Sequence, residues 1–309
     1  MSLLLTDAQL AEYKDNGYIV VRGLLTPNEV AETREEMRRM IDDWYDDFES
    51  SGKEGPAWKE VVQRDPAVQR GDLVPESRYR AVRKLYRMTT TSSFFERQAR
   101  HKKLVEACQQ LVGKDIRLLQ SMALLKPPGT AQKRWHQDNA YFRLTPIDVM
   151  GCWIAIDPAF VQNGCMHVLS QSHGNGIALH RMPEGSEGMT EQGAVLYSLA
   201  DIPDETQVTP LPMEPGDALL FHGALKHFTP PNRSNVDRYA VQYHYAAAHC
   251  QPTVCPIDME NSVKATGGPG DDDKRHAAFD CDPCVEPQFW FFRKAEMTVV
   301  GEEKGGVYI

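Results

Sequence analysis

The chain has 309 residues, 41% of them apolar and 25% charged, a globular balance that excludes disorder as its organising theme. Its 34 basic and 43 acidic side chains leave a net charge of −9, which argues against nucleic acid or an anionic membrane surface as the main partner. No run approaches the ~20 apolar residues of a membrane span, residues 1–10 lack the pattern of a secretory signal, and seven thinly spread cysteines are no disulfide scaffold. The expected location is the cytoplasm.

Thr6 and Gln9 have capping-box spacing and Gly17 is a stop signal, which predicts a first helix from Thr6 to about Asn16. A short strand follows over 18–22. Thr26, Pro27 and Glu29 open a second helix, with Leu25 and Val30 at staple spacing. It runs to about Phe48, with Val30, Met37, Ile41 and Trp44 near helical period. Residues 51–78 are polar and carry Gly and Pro, reading as a long surface loop; 79–88 read as mixed strand or loop. Ser93 and Glu96 open another capped helix that ends near Gly113. The pattern then changes to short apolar runs at 116–125, 149–156, 165–170, 194–199, 217–221 and 238–247. Short strands without intervening helices predict an antiparallel sandwich or barrel, with the N-terminal helices covering one face. The fold class is mainly β with flanking helices. One domain is expected over 1–309: a helical N-terminal third (1–113), a β core (114–249) and a C-terminal extension (250–309) whose aromatic cluster at 289–292 packs back on the domain.

The chemistry centres on Trp135-His136-Gln137-Asp138. An imidazole and a carboxylate two residues apart on a strand share a face and can ligate one cation. Downstream, Pro215-Gly-Asp217 leads into an apolar strand followed by His222 and His227. Two histidines and one carboxylate make the facial triad of non-haem Fe(II) oxygenases. Arg238 comes eleven residues after His227 and opens the strand 238–245. An inward-facing arginine there can grip the far carboxylate of a dicarboxylic cosubstrate with a two-pronged fork. His222 competes as the distal ligand, since Arg233 follows it at the same interval. Arg233, however, sits in a turn-forming Pro230-Pro-Asn-Arg-Ser stretch, which favours His227.

These motifs, together with Gly17-Tyr-Ile-Val-Val-Arg-Gly23, Lys126-Pro-Pro128, Tyr141-Phe142, Cys152-Trp153, Asn163-Gly-Cys-Met166 and Ser172-His173, resemble the phytanoyl-CoA dioxygenase family of Fe(II)/2-oxoglutarate-dependent oxygenases over roughly residues 7–248. The resemblance implies a double-stranded β-helix (jelly-roll) core with helices packed on one side. It implies His136, Asp138 and His227 as iron ligands. Arg238 is implied as the partner of the 2-oxoglutarate C5 carboxylate, with Thr229 hydrogen-bonding the same group. Trp153 and Met122 fall where the family walls the cosubstrate. Lys84 falls on a lid lysine that reaches it, with Arg83 nearly as good a match. The implied activity is hydroxylation of an unactivated C–H of a small-molecule metabolite by O2, with release of succinate and CO2 and ascorbate as reductant in vitro. Asp138 is missing in relatives that halogenate, so its presence points to hydroxylation or another oxidation. The alternative is a jelly-roll metalloprotein of another class, a Zn or Mn hydrolase or isomerase or a non-catalytic binder. The first has no need of the Arg238/Thr229 pocket, and the second is expected to have lost a ligand.

Cys250, Cys255, Cys281 and Cys284 have spacings that admit a structural zinc; free thiols are the favoured reading. His173 and His244 read as structural histidines, and Asp271–Asp273 as a solvated acidic loop.

Overall fold

The computed structural model describes residues 4–51, 61–181, 190–191, 194–195, 198–199, 201, 203–252 and 297–300. The chain starts with helix α1 (Asp7–Asn16), where Thr6 and Gln9 form the expected reciprocal cap. Gly17 ends it at φ 82, a left-handed conformation glycine adopts without strain. A Cβ at Gly17 would lie 2.5 Å from the His173 ring; His173 is thus a packing residue whose Nε2 lies 3.1 Å from the Lys14 carbonyl. Strand β1 (Tyr18–Val21) leads to helix α2 (Pro27–Ser51), capped by Thr26 and Glu29. Val30, Thr33, Met37, Met40, Ile41 and Trp44 are buried, the three-to-four-residue recurrence of one helical face.

The region 51–78 is not all loop. Strand β2 (Val62–Arg64) lies within it and pairs with β3 (Val82–Tyr86) at the end of the main sheet. Val62 is fully buried and Gln63 nearly so. Three residues are too short to show strand periodicity, so pairing rather than pattern makes this strand. The single helix expected over 93–113 is two, α3 (Ser93–Ala99) and α4 (Lys102–Val112). The cap is Ser92, whose Oγ accepts from the Phe95 amide. The chain turns at Arg100, whose amide bonds Arg97 and Gln98, and becomes extended at His101.

The other strands of the two large sheets are β4 (Ile116–Lys126), β5 (Lys133–His136), β6 (Val149–Ala155), β7 (Met166–Leu169), β8 (Val208–Leu211), β9 (Ala218–His222), β10 (His227–Thr229), β11 (Arg238–Ala247) and β12 (Met297–Val300). They form two antiparallel sheets. The main one runs β1-β9-β6-β11-β4-β3-β2, with β12 also beside β4; the smaller one runs β8-β7-β10-β5. This is the jelly-roll core with flanking helices that the sequence implied. The strand expected at 194–199 is two short pieces with different partners, Ala194–Val195 against Thr190–Glu191 and Ser198–Leu199 against His180–Arg181. The tail returns to the core as β12, opposite Leu118; 289–292, Asp271–Asp273 and Cys255, Cys281 and Cys284 lie outside the described residues.

Strand alternation divides the main sheet between structure and chemistry. On β11, Tyr239, Val241, Tyr243 and Tyr245 pack into the core that includes Met37, Ile41 and Trp44 of α2. Arg238, Gln242 and His244 face the opposite way, into a cavity between the sheets. On β4 the pairing with β11 shifts register between His244 and Tyr245, whose partners are Gln120 and Leu118. Leu119 is the extra residue, and such a bulge re-aims the side chains beyond it. Gln120, Met122, Leu124 and Lys126 thereby line the cavity. No helix among the described residues is long and apolar enough to cross a membrane.

Candidate active site

Strand β5 ends on His136 and β10 begins on His227, and the two are partners across the antiparallel pair. Their ring centroids are 4.1 Å apart. His136 Nδ1 lies 2.7 Å from the Arg134 carbonyl and His227 Nδ1 2.9 Å from that of Leu225. A carbonyl only accepts, so each Nδ1 carries the proton and each Nε2 presents a lone pair. Both Nε2 atoms face Asp138 Oδ1, at 3.5 and 3.6 Å.

Asp138 does not reach that point as the strand reading supposed. β5 stops at His136, and Asp138 starts the one-turn helix α5 (Asn139–Phe142) with helical φ and ψ. The turn, rather than strand alternation, brings the carboxylate beside the imidazoles. Gln137 braces it: its amide donates to His180 Nε2, and its side-chain nitrogen donates to the Gly176 and Ala224 carbonyls. The ligand atoms of His136, Asp138 and His227 all lie within 4.8 Å of one another.

Burial holds His136 well below its ordinary pKa, and the neighbouring His227 and Lys133 act in the same direction. Burial also lowers His227 against the pull of Asp138. Both rings are neutral, the form that binds a cation. Burial would raise Asp138, but the facing His244 and His227 outweigh it and keep the carboxyl below its usual range. Two neutral imidazoles and one carboxylate, clustered and buried, suit a divalent transition metal.

The other end of the cavity is cationic. Arg238 is 3% exposed, in register with Lys126 on β4, and its guanidinium lies over the Trp153 ring at 5.3 Å. Its Nε and Nη1 have no hydrogen-bond partner among the described residues. Burial lowers its pKa to about 10, so at neutral pH it remains a cation. Thr229, two residues after His227 on β10, presents its hydroxyl to the same end, where it accepts from Lys126 Nζ at 3.2 Å. Trp153 and Met122 line the cavity, which holds about 220 Å³. Two unpaired guanidinium nitrogens facing a buried cavity fit an incoming carboxylate.

Lys84 also lines the cavity, yet it sits on β3 within the main sheet rather than on a lid. Its ammonium donates to the Tyr86 hydroxyl at 3.1 Å. Arg83 lines the cavity too, 3.6 Å from Asp65. His222 does not reach the cavity: its Nδ1 accepts from the Ala224 amide and its ring lies beside His173. Arg233 is exposed. His227 thus joins the cluster with His136 and Asp138, and His222 does not.

Among the other cavity residues, Lys126 and Gln242 were not singled out in the sequence as site residues, and His244 was read there as structural. Gln242 and His244 share the inward parity of Arg238, a signal readable from the alternation of 238–245. Lys126 was visible only as part of the Lys126-Pro-Pro128 motif. Cys108, Cys152, Cys165 and Cys250 are buried free thiols.

Jelly-roll sheets enclosing a two-histidine, one-carboxylate cluster define a class of metal-dependent oxygenase-like proteins. Residues 13–240 match the phytanoyl-CoA dioxygenase (PhyH) family, and this chain belongs to it. Membership supports a dioxygenase-type function. The phytanoyl-CoA dioxygenase domain-containing protein 1 of Danio rerio is 26% identical over 265 residues, 78% of this chain and 90% of that protein. The peroxisomal phytanoyl-CoA dioxygenase of Homo sapiens is 25% identical, covering 94% of this chain and 82% of its own. Among solved structures, apo EctD from S. alaskensis matches with TM-score 0.60 at 17% identity, over 82% of this chain and 81% of that one. The epimerase SnoN, in complex with Fe3+, alpha ketoglutarate and nogalamycin RO, matches with TM-score 0.55 at 19% identity, over 78% and 83%. These likenesses carry the fold.

Proposed function

We propose that this protein is an Fe(II)/2-oxoglutarate-dependent dioxygenase that hydroxylates an unactivated C–H of a small-molecule metabolite. The observation that carries the reading is Arg238: a buried guanidinium whose Nε and Nη1 have no partner among the described residues, in the same cavity as the His136/Asp138/His227 cluster. A hydrolase or isomerase using the same metal cluster leaves that guanidinium without purpose.

His136, Asp138 and His227 would hold the iron, on three protein ligands that leave positions open. Arg238 and Thr229 would hold the distal carboxylate of 2-oxoglutarate, and Trp153 and Met122 would wall its chain. Bound there, Fe(II) and 2-oxoglutarate supply O2 activation coupled to decarboxylation, with succinate and CO2 as products and ascorbate keeping the metal reduced in vitro. The protein contributes orientation: the guanidinium is pinned over an indole, the imidazoles are fixed by backbone carbonyls, and the cluster is buried between two sheets.

The test is an anaerobic titration of the Fe(II)-loaded protein with 2-oxoglutarate, followed by succinate measurement across a metabolite library. A visible metal-to-ligand charge-transfer band and substrate-dependent succinate are expected. A wild-type protein that shows no such band removes the basis of the reading.

A further inference from the structure

Lys126 stands at the carboxylate end of the cavity, and the proposed chemistry leaves it without a role. It is the last residue of β4 and is 4% exposed. Lysine is almost never that buried without a partner. Its stem runs past Gly164, where a Cβ would lie 2.8 Å from Lys126 Cε and 2.5 Å from the Pro230 carbonyl oxygen. At φ 85, Gly164 supplies both the turn and the channel for the lysine stem. The channel delivers Nζ to Thr229 Oγ1.

Among the described residues, the charged groups that act on Lys126 are cations. Burial lowers its pKa to about 6, and the cations Arg238 on β11 and Arg83 on β3 add to the effect. Beyond Gly164, the Cys165 thiol is pushed up by burial to about 11 and carries no charge at neutral pH. Asp157, which acts on Arg238, is itself held by Arg34 at 2.7 Å. The amine is thus mainly uncharged beside a permanent guanidinium.

We propose that Lys126 is a second anchor for the distal carboxylate of 2-oxoglutarate: its amine, held at Thr229 beside Arg238, takes a proton from solvent as the carboxylate enters and pairs with it as ammonium. This rests on Arg238 being that carboxylate's partner. One proton leaves the buffer per cosubstrate bound, the nitrogen lone pair accepts it, and the carboxylate stays ionised. A second permanent cation would add standing repulsion to the pocket; a lysine that ionises on arrival does not. A monocarboxylic 2-oxo acid brings no charge to this end and gains nothing from Lys126, so the residue also selects for a dicarboxylate.

Calorimetric titration of the Fe(II)-loaded protein with 2-oxoglutarate, anaerobically and at about pH 8, reads proton exchange when repeated in two buffers of different ionisation enthalpy. Wild type is expected to take up close to one proton, and none with 2-oxobutyrate, which lacks the distal carboxylate. Lys126→Met is expected to take up none and to bind at least about tenfold more weakly. Lys126→Arg, a cation at all working pH, is expected to bind 2-oxoglutarate without proton uptake, which keeps the test decisive if the methionine variant does not fold. Uptake that persists in Lys126→Met or Lys126→Arg, or that is missing in a wild type that does bind 2-oxoglutarate, overturns the inference and leaves the Arg238 site standing. A wild type that does not bind 2-oxoglutarate overturns the proposed function and this inference together.

Discussion

His244 Nε2 lies 2.9 Å from Asp138 Oδ2, while the other oxygen of that carboxylate faces His136 and His227. The two oxygens are divided, one toward the paired imidazoles and one toward β11. His244 comes from β11 in the main sheet and Asp138 from the turn after β5 in the smaller one, so this contact ties the sheets together at the cluster. Its ring also packs against Phe142 of α5 at 4.9 Å. Groups that orient a ligand in this way are worth about 10- to 100-fold in metal affinity. His244→Leu is expected to lose that much in an anaerobic Fe(II) titration, with secondary structure retained. Undiminished affinity would show that Asp138 needs no such support.

His136→Ala and Asp138→Ala are each expected to abolish iron-dependent succinate formation while leaving the circular dichroism spectrum unchanged. Each removes one of three clustered ligands, and neither supports the main hydrophobic core. Wild-type succinate release from either variant contradicts the cluster's role.

Arg238→Ala is expected to raise the 2-oxoglutarate requirement. Leaving a carboxylate unpaired in a buried site costs about 2–5 kcal/mol, roughly 30- to 4,000-fold in affinity. Arg233→Ala, on the exposed turn, is expected to change it little. The reverse ranking in steady-state kinetics would remove Arg238 from the site.

Asp217 gives a pH-dependent prediction away from the chemistry. Its carboxylate accepts from Arg22 at 2.6 Å and from the Gly23 and Glu214 amides at 2.9 Å, joining the exit of β1 to the start of β9. Burial alone would raise its pKa, but these donors prevail and hold it below the ordinary value. The stabilisation is therefore complete above the unfolded carboxyl's pKa of about 3.9 and is lost as pH falls through the lower folded value. Asp217→Asn is expected to cost about 1–2 kcal/mol at neutral pH, the low figure reflecting an Arg22 side chain largely in solvent. Denaturant melts at a series of pH values should show wild type and variant converging below about pH 4. A gap that stays constant with pH argues against the charged hydrogen bonds.

Much of this was legible locally. Thr6/Gln9 and Thr26/Glu29 announce helix starts because a cap is satisfied within four residues. Tyr239 to Tyr245 announce a two-faced strand because alternation is a local property. The site was legible through residue chemistry and the family's spacing. What escaped depended on distant partners. β2 is a strand because β3 offers it an edge, not because Val62-Gln-Arg64 has a pattern. Asp138 turns inward through a helical turn that begins after β5 stops, which a two-residue count cannot reveal. Lys126 became significant only when β11 placed Arg238 opposite it.

The pairing of Tyr18 with Phe221 also sets an order of events during synthesis. β1 leaves the ribosome early, yet the strand it completes follows about two hundred residues later. Without β1, the outer edge of β9 would present unpaired backbone groups along Ala218-Leu-Leu-Phe221, a template for another chain. β1 is thus a cover strip as well as a strand. A chain that lacks residues 1–26 would keep every residue that lines the cavity and still be expected to aggregate through this edge.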